Sequence, residues 1–341
     1  MSRVRKTSIV VFALLLLAVS AIPAFAEPKY MWKVGTLAPK GVGWAIQVEH
    51  VLLPYIAQKT SSQLGIKVYW GGVMDDDGDY IKKMRIGQLQ AGGITAQGAI
   101  IISKEWAVVE IPFLFNNYAE VDYIRGKMFH NFDAMMQKEG FKLLLWIDQD
   151  FDKLYSVRKP LAKLADYRGA KVVTWYGPLE ERVLTRLGAS PVPIAVPEIS
   201  ASIRSGIAEA TIAPAIWMVG SQMHSVAKYV NPMNIRYAPA LIVVTNKAWQ
   251  EIPEAFRKAL ESGRDDVTRR FTEATRKDND RCLDAMLRYG MQKVMPAPKD
   301  LEEIKRTLAP VAQEMVGNLY PKSLLEEVTG LLAEYRKKGG R

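Results

Sequence analysis

Few side chains in this sequence are spaced to make or break a bond. Its three histidines, His50, His130 and His224, stand singly, and Cys282 is its one cysteine. Zinc needs closely spaced His or Cys ligands, and a nucleophile needs a base beside it, so neither a metal site, a cofactor nor a catalytic triad is expected. Asp75-Asp76-Asp77-Gly78-Asp79 invites a calcium reading. An EF-hand loop requires glycine at its sixth position and glutamate at its twelfth, and those places hold Tyr80 and Ile86. Asp79 reads instead as the N-cap of a helix running through Ile86, with the other carboxylates favouring its positive end. The turn Thr36 to Gly43 carries glycines but lacks both the Walker and the dinucleotide spacing, so it reads as the rim of a binding cleft. What remains is suited to recognition: Trp175, Tyr176, Ile212, Ile216, Trp217 and Met218 offer large apolar faces with few donors.

The elements around these residues alternate. From Pro160 to Met218 the pattern gives a strand at Lys171 to Trp175, an amphipathic helix, a strand near Pro191 to Ile194, a second helix and an apolar turn at Ile212 to Met218. Strand and helix in alternation mark a parallel α/β sheet, which binds ligands beyond the carboxyl ends of its strands. Upstream, a strand from Tyr30 leads through the Thr36 to Gly43 turn into a helix with Trp44, Val48, Val51, Leu52, Tyr55 and Ile56 on one stripe, bent by Pro54. Phe141 to Ile147, Leu154 to Val157 and Ala240 to Thr245 read as further strands. Between Pro253 and Tyr289 there is no internal proline, and helical spacing of Phe256, Leu260, Val267 and Phe271 predicts one helix on the order of 50 Å long.

Residues 1–26 read as an export signal: Arg3, Arg5 and Lys6, an apolar run from Ile9 to Val19, and Ala24-Phe25-Ala26 before Glu27. A soluble, periplasmic mature protein without a disulfide follows. Cleavage removes three basic residues and no acidic one, so the formal charge falls from +10 to +7. Lys and Arg are interleaved with Asp and Glu, which with export excludes nucleic acid as a partner. The remaining residues suffice for two lobes with separate cores.

The pieces Asp166-Tyr167-Arg168-Gly169 with Lys171 and Val172, then Leu187 to Pro193, then Pro197-Glu198-Ile199 followed by Ser205-Gly206, resemble the DctP-like solute receptors of TRAP transporters. Ile111 to Phe115 is similar to the family's P-F-L-F segment, and Arg85-Ile86-Gly87 also fits. The resemblance implies an α/β, two-lobed periplasmic-binding-protein fold with a hinge and a long helix spanning both lobes. It divides the chain into a signal peptide (1–26), lobe I (27–149), lobe II (150–234), a return to lobe I with the long helix (235–280) and C-terminal helices on lobe II (281–335). It implies a monomeric, non-enzymatic receptor that captures a small molecule and delivers it to TRAP membrane permease subunits. Trp44, Phe113 and Phe115 would contribute lobe I's side of the cleft, although both phenylalanines fit a core equally well.

Three departures bear on the ligand. The resemblance places a carboxylate-binding arginine where this chain has Val173, a second arginine where it has Asp152, and an asparagine where it has Ala213. With Trp175, Tyr176, Trp217 and Met218 nearby, the expectation is an apolar or amphipathic ligand rather than a simple organic acid. A periplasmic carrier of hydrophobic ligands or a sensory binding protein without a permease shares these features. An exported hydrolase does not, lacking a nucleophile beside a base.

Overall fold

The computed structural model describes residues 27–339 other than Tyr176. The expected export signal therefore lies outside the described residues, as does Tyr176. Nine strands form one sheet: β1 (Tyr30–Thr36), β2 (Leu64–Tyr69), β3 (Ala91–Ile94), β4 (Phe141–Ser156), β5 (Lys171–Thr174), β6 (Ser190–Pro193), β7 (Ala210–Ala213), β8 (Tyr229–Thr245) and β9 (Gln292–Lys293). Their order is β2-β1-β3-β8-β4-β7-β5-β6, with β9 attached to β8. The outer strands of each half run parallel and the central pair antiparallel. This is the two-lobed α/β architecture.

β4 and β8 each run through both lobes, pairing from Phe141 with Thr245 to Ser156 with Tyr229. The boundaries expected at 149/150 and 234/235 thus fall inside continuous strands. In the sequence the polar stretch Asp148 to Lys153 looks like a break between two short strands, yet every residue of β4 is buried. Charge pairing makes this tolerable. Asp148 accepts from Arg125, from Arg276 Nε at 2.7 Å and from the Tyr237 hydroxyl at 2.7 Å, and Asp150 meets Lys153 Nζ at 3.0 Å and the Tyr118 hydroxyl at 2.7 Å. Register shifts flank Asp148–Asp150 and Asp152–Leu154, so the ladder bends where the lobes meet.

The cores follow the faces of this sheet and not the lobes. One apolar cluster holds Trp106 and Trp146 of lobe I together with Tyr167 and Leu184 of lobe II; the other holds Trp32 and Trp44 together with Trp175 and Trp217. Val172 joins the first and Val173 the second, as alternation along a strand requires. The expectation of two separate lobe cores is corrected accordingly, because a sheet continuous through both lobes has two faces for the whole molecule.

Three local readings also change. Asp76, not Asp79, is the N-cap of helix Asp77–Arg85, accepting from the Asp79 N–H. Asp77 turns inward, fully buried, and accepts from the backbone N–H groups of Thr95 and Gly98 at 3.1 and 3.2 Å, so it serves the helix Ala96–Ile102. Burial pushes its carboxyl up to about 6. The long helix is two, Glu254–Ser262 and Arg264–Arg288, divided at Gly263, where a Cβ would fall 2.7 Å from the Tyr55 ring. The second of these packs on β4, on the lobe II helix Ala215–Gly220 and on the 44–52 segment of lobe I, and so bridges both lobes. Of the C-terminal helices, Pro298–Leu308 and Val311–Glu314 lie on lobe II, whereas Lys322–Lys337 lies on helix Tyr118–Lys138 of lobe I, held by Arg336 on Glu120 at 2.7 Å.

At the hinge, Arg236 of β8 faces three buried carboxylates. Asp152 of β4 is 2.8 Å away, Glu180 of lobe II 3.4 Å and Glu110 of lobe I 3.8 Å. Neither oxygen of Glu110 has a hydrogen-bond partner among the described residues. Burial raises the Glu110 carboxyl to about 8, with Arg236 opposing and the neighbouring carboxylates adding to the rise. The folded state therefore holds a proton that the unfolded chain releases near 4.5, and stability from this group is full below that pH and lost as pH rises through about 8. Glu110→Gln is expected to narrow the difference in melting temperature between pH 5.5 and pH 8.5; an unchanged difference in thermal melts would refute the assignment.

Candidate ligand-binding cleft

A cavity of about 80 Å³, several times what one water molecule needs, lies on the second apolar face where the lobes meet. Lobe II supplies Trp175, Val196 and Trp217, lobe I supplies the loop residues Thr36, Leu37 and Ala38 with Trp44, and the long helix supplies Phe271. The indole N–H of Trp175 donates to the Ile212 carbonyl at 2.9 Å, and that of Trp44 to the Asp148 carbonyl at 3.2 Å. With their polar ends satisfied by backbone, these rings present carbon to the cavity. Trp175 and Trp217 lie 5.5 Å apart between ring centres, tilted by 38°. Glu180 fixes the turn after β5 by accepting from the Trp175 backbone N–H at 2.9 Å.

The wall continues into lobe I. Trp32, Val34 and Thr36 alternate along β1, Ile66 and Val68 along β2, and Val48, Leu52 and Ile56 descend the overlying 44–59 helix. That helix is irregular just before Pro54. It widens into a π-helical turn over Val48–Leu52, in which the Leu53 N–H donates to the Val48 carbonyl, just ahead of the proline that cannot donate. Among the described residues the polar side chains on the wall are Thr36, Thr95 and Gln149, and none of those lining it is ionisable.

Of the residues singled out in the sequence, Trp44, Trp175 and Trp217 meet at this wall. The others are placed elsewhere among the described residues. Phe115 is buried on the opposite face, edge-on to Tyr237 at 5.6 Å, and Phe113 packs against that same face beneath the Lys305 ammonium. Asp152 is taken up by Arg236. Val173, Ala213 and Met218 share the cavity's face of the sheet but are enclosed behind the two tryptophans. Trp217 sits on a short helix, Ala215–Gly220, rather than in a turn. The turn read as a cleft rim supplies Thr36, Leu37 and Ala38 to the wall, whereas sequence reasoning missed Gln149 and the deeper wall, whose period-2 and four-residue spacings are those of any core.

A family model described as bacterial extracellular solute-binding protein, family 7 (DctP), matches residues 44–318. The chain belongs to this family. It is a TRAP-type periplasmic solute-binding receptor, and the family consists of receptors and not enzymes. Among curated relatives, the receptor is 24% identical over 276 residues to the C4-dicarboxylate-binding periplasmic protein of Rhodobacter capsulatus, covering 79% of this chain and 81% of that one. It is 20% identical to the 2,3-diketo-L-gulonate-binding periplasmic protein of Escherichia coli, covering 70% and 73%. A sugar acid binding protein of Advenella mimigardefordensis, solved with galactonate, superposes with a TM-score of 0.84 at 17% identity over 89% of this chain and 98% of that chain. A TRAP periplasmic solute binding protein of Haemophilus influenzae with bound L-gulonate gives 0.82 at 18% identity over 90% and 99%. These likenesses carry the fold. Among the described residues no helix is long and apolar enough to cross a membrane.

The lobes are closed on each other. Gly43, at φ 45° and ψ −115°, brings the lobe I loop so near helix Ala215–Gly220 that an added Cβ would stand 2.1 Å from Ile216 Cγ2. The Ile216 N–H donates to Asn279 Oδ1 at 3.0 Å, and Asn279 Nδ2 donates to the Gln149 carbonyl at 2.8 Å, so the bridging helix fastens both sides. Gly43→Ala should obstruct closure, both by this contact and because the backbone angles suit only glycine. Small-angle scattering of ligand-saturated samples is expected to give a larger radius of gyration for the variant, with partial recovery in Gly43→Ala/Ile216→Ala. Superimposable curves for variant and parent would sink the idea.

Proposed function

We propose that this receptor captures an apolar or amphipathic small molecule between its lobes and, as a monomer exported through a cleaved signal, delivers it to a TRAP membrane permease. No bond is made or broken. Trp44, Trp175 and Trp217 are its principal contacts, with Val173 and Met218 backing them. The observation that carries the reading is the cavity wall, which among the described residues has three neutral polar side chains, no charge, and aromatic and aliphatic side chains over the rest.

The neighbours solved with acids set the contrast. A carboxylate brought into such a wall without a cation loses its hydration at a cost of several kcal/mol. In this chain the buried cations at the crossing strands are already matched, Arg125 and Arg276 to Asp148, Lys153 to Asp150 and Arg236 to Asp152. Val173 stands fully buried where the family resemblance places a guanidinium. An apolar ligand instead gains roughly 25 cal/mol for each Å² it buries.

Calorimetry with the co-purified ligand, released by denaturation and identified by mass spectrometry, and with a panel of C4 to C6 acids tests the reading. Trp217→Ala should weaken the natural ligand by about 1 to 3 kcal/mol with the fold retained. Val173→Arg should weaken it as well, by placing an unmatched charge behind the tryptophans. Tight binding of a simple acid by the unmodified protein would overturn the proposal. Adjacent genes for a small and a large membrane subunit are the expected context; their absence would favour a carrier without a permease.

A further inference from the structure

The cavity is deeper than the cleft, and its depth has a direction. β1 and β2 are parallel and point their carboxyl ends at lobe II, so Thr36 stands at the mouth and Trp32 and Ile66 stand farther in. On the 44–59 helix Trp44 is at the mouth and Ile56 twelve residues along; on β8, which runs the other way, Ala240 is at the mouth and Val244 within. Thr36 and Trp44 thus stand at the mouth and Val34, Leu52, Ile56, Ile66 and Val244 within, with Trp32 closing the inner end. Four residues of strand from Thr36 to Trp32 give a depth of about 13 Å.

Two observations at the mouth point to a ligand head. Gln149 is only 4% exposed; its Oε1 accepts from the Ala96 N–H at 3.1 Å, while its Nε2 has no partner among the described residues. Thr36 uses its Oγ1 as acceptor for the Ala38 N–H, which leaves its hydroxyl proton to be donated. A donor at the mouth that a bound molecule cuts off from water is costly unless that molecule brings an acceptor. Past these two groups the wall offers neither donor nor acceptor side chains until its inner end, so a polyhydroxylated ligand would leave its hydroxyls unsatisfied there.

We propose that the ligand is elongated: a single neutral acceptor-bearing head held by Thr36 and Gln149 at the mouth, and an unbranched hydrocarbon tail of about ten carbons threaded between the 44–59 helix and the lobe I sheet. The tail length follows from the depth at roughly 1.3 Å advanced per carbon–carbon bond. This inference rests on the apolar reading of the cleft and deepens it, by assigning a second compartment inside lobe I that lobe closure alone does not require.

The test uses the mature protein freed of ligand by unfolding and refolding, titrated with straight-chain primary alcohols from four to fourteen carbons and read by tryptophan fluorescence. Affinity should rise about fourfold per added methylene and level off near ten carbons. Ala91→Leu, which puts bulk between β1 and β8 beside Val34, about halfway along the compartment, should move the plateau to shorter chains while leaving the affinity for the four-carbon alcohol unchanged. Should that variant fail to fold, Val68→Phe, on the half-buried face of β2, makes the same demand. A plateau already reached at five carbons, or one that neither variant moves, would overturn the tail compartment while the apolar cleft stands. Failure of every alcohol to bind would remove the apolar reading itself.

Discussion

The pairing of β4 with β8 is the constraint from which the rest of the molecule follows. Because these two strands run from one lobe into the other as a paired ladder, broken by register shifts, strand pairing continues across the junction where a loop would need water. The price is that a largely polar stretch, Asp148 to Lys153, must sit inside the protein: Asp148 is met by Arg125 from the lobe I helix and Arg276 from the bridging helix, Asp152 by Arg236 from β8, and Asp150 by Lys153 of the same stretch. The pairs do double duty. They neutralise the crossing, and they fix the helix Arg264–Arg288 across both lobes, so that bending is confined to the register shifts beside Asp148 and Asp152.

That arrangement bears on what can be bound. A receptor for an acid needs a cation held in reserve, dehydrated but not yet matched. Here Asp152 occupies the position at which the family resemblance places an arginine, and the guanidinium nearby, Arg236, is engaged by that same carboxylate. The ion pairs of the crossing are thus made within the protein, and the described side chains of the cavity wall are uncharged. The solved relatives that hold galactonate and L-gulonate share the frame with this chain, whose cavity wall carries three neutral polar side chains.

The alternation of strand and helix from Pro160 onward, and the spacing of Trp175 and Trp217, were legible because periodicity reports local geometry. Other features depended on tertiary contacts. Asp77 looks like one of a run of surface carboxylates, yet it is the one that turns inward to the backbone of Thr95 and Gly98. Gly263 reads as a tolerable residue in a long helix until Tyr55 is found against it. Phe113 and Phe115 have the composition of a binding surface and belong to the opposite face of the sheet. The deep wall was hidden for a related reason: Trp32, Val34, Ile66 and Val68 follow the pattern of a packed core, and a cavity is a shortage of volume among neighbours that no single stretch of sequence records.

The π-helical turn at Val48–Leu52 gives this shortage a simple origin. In a regular α-helix a side chain four residues on is rotated by about 40°, so a row such as Trp44, Val48, Leu52 and Ile56 would swing off the face it began on. A wider turn rotates the row back, and all four residues line the cavity. Such a turn is what one additional residue leaves in a helix. Rewinding this stretch to a regular helix with no residue removed would carry Ile56 about 120° off the face of Trp44, whereas removing one residue there would restore the regular spiral and leave Leu52 and Ile56 facing the sheet. The reach of the pocket is in that sense a matter of counting: the wide turn absorbs one residue, so the helix carries a residue more than a regular spiral would and its row of wall residues still faces the sheet from end to end.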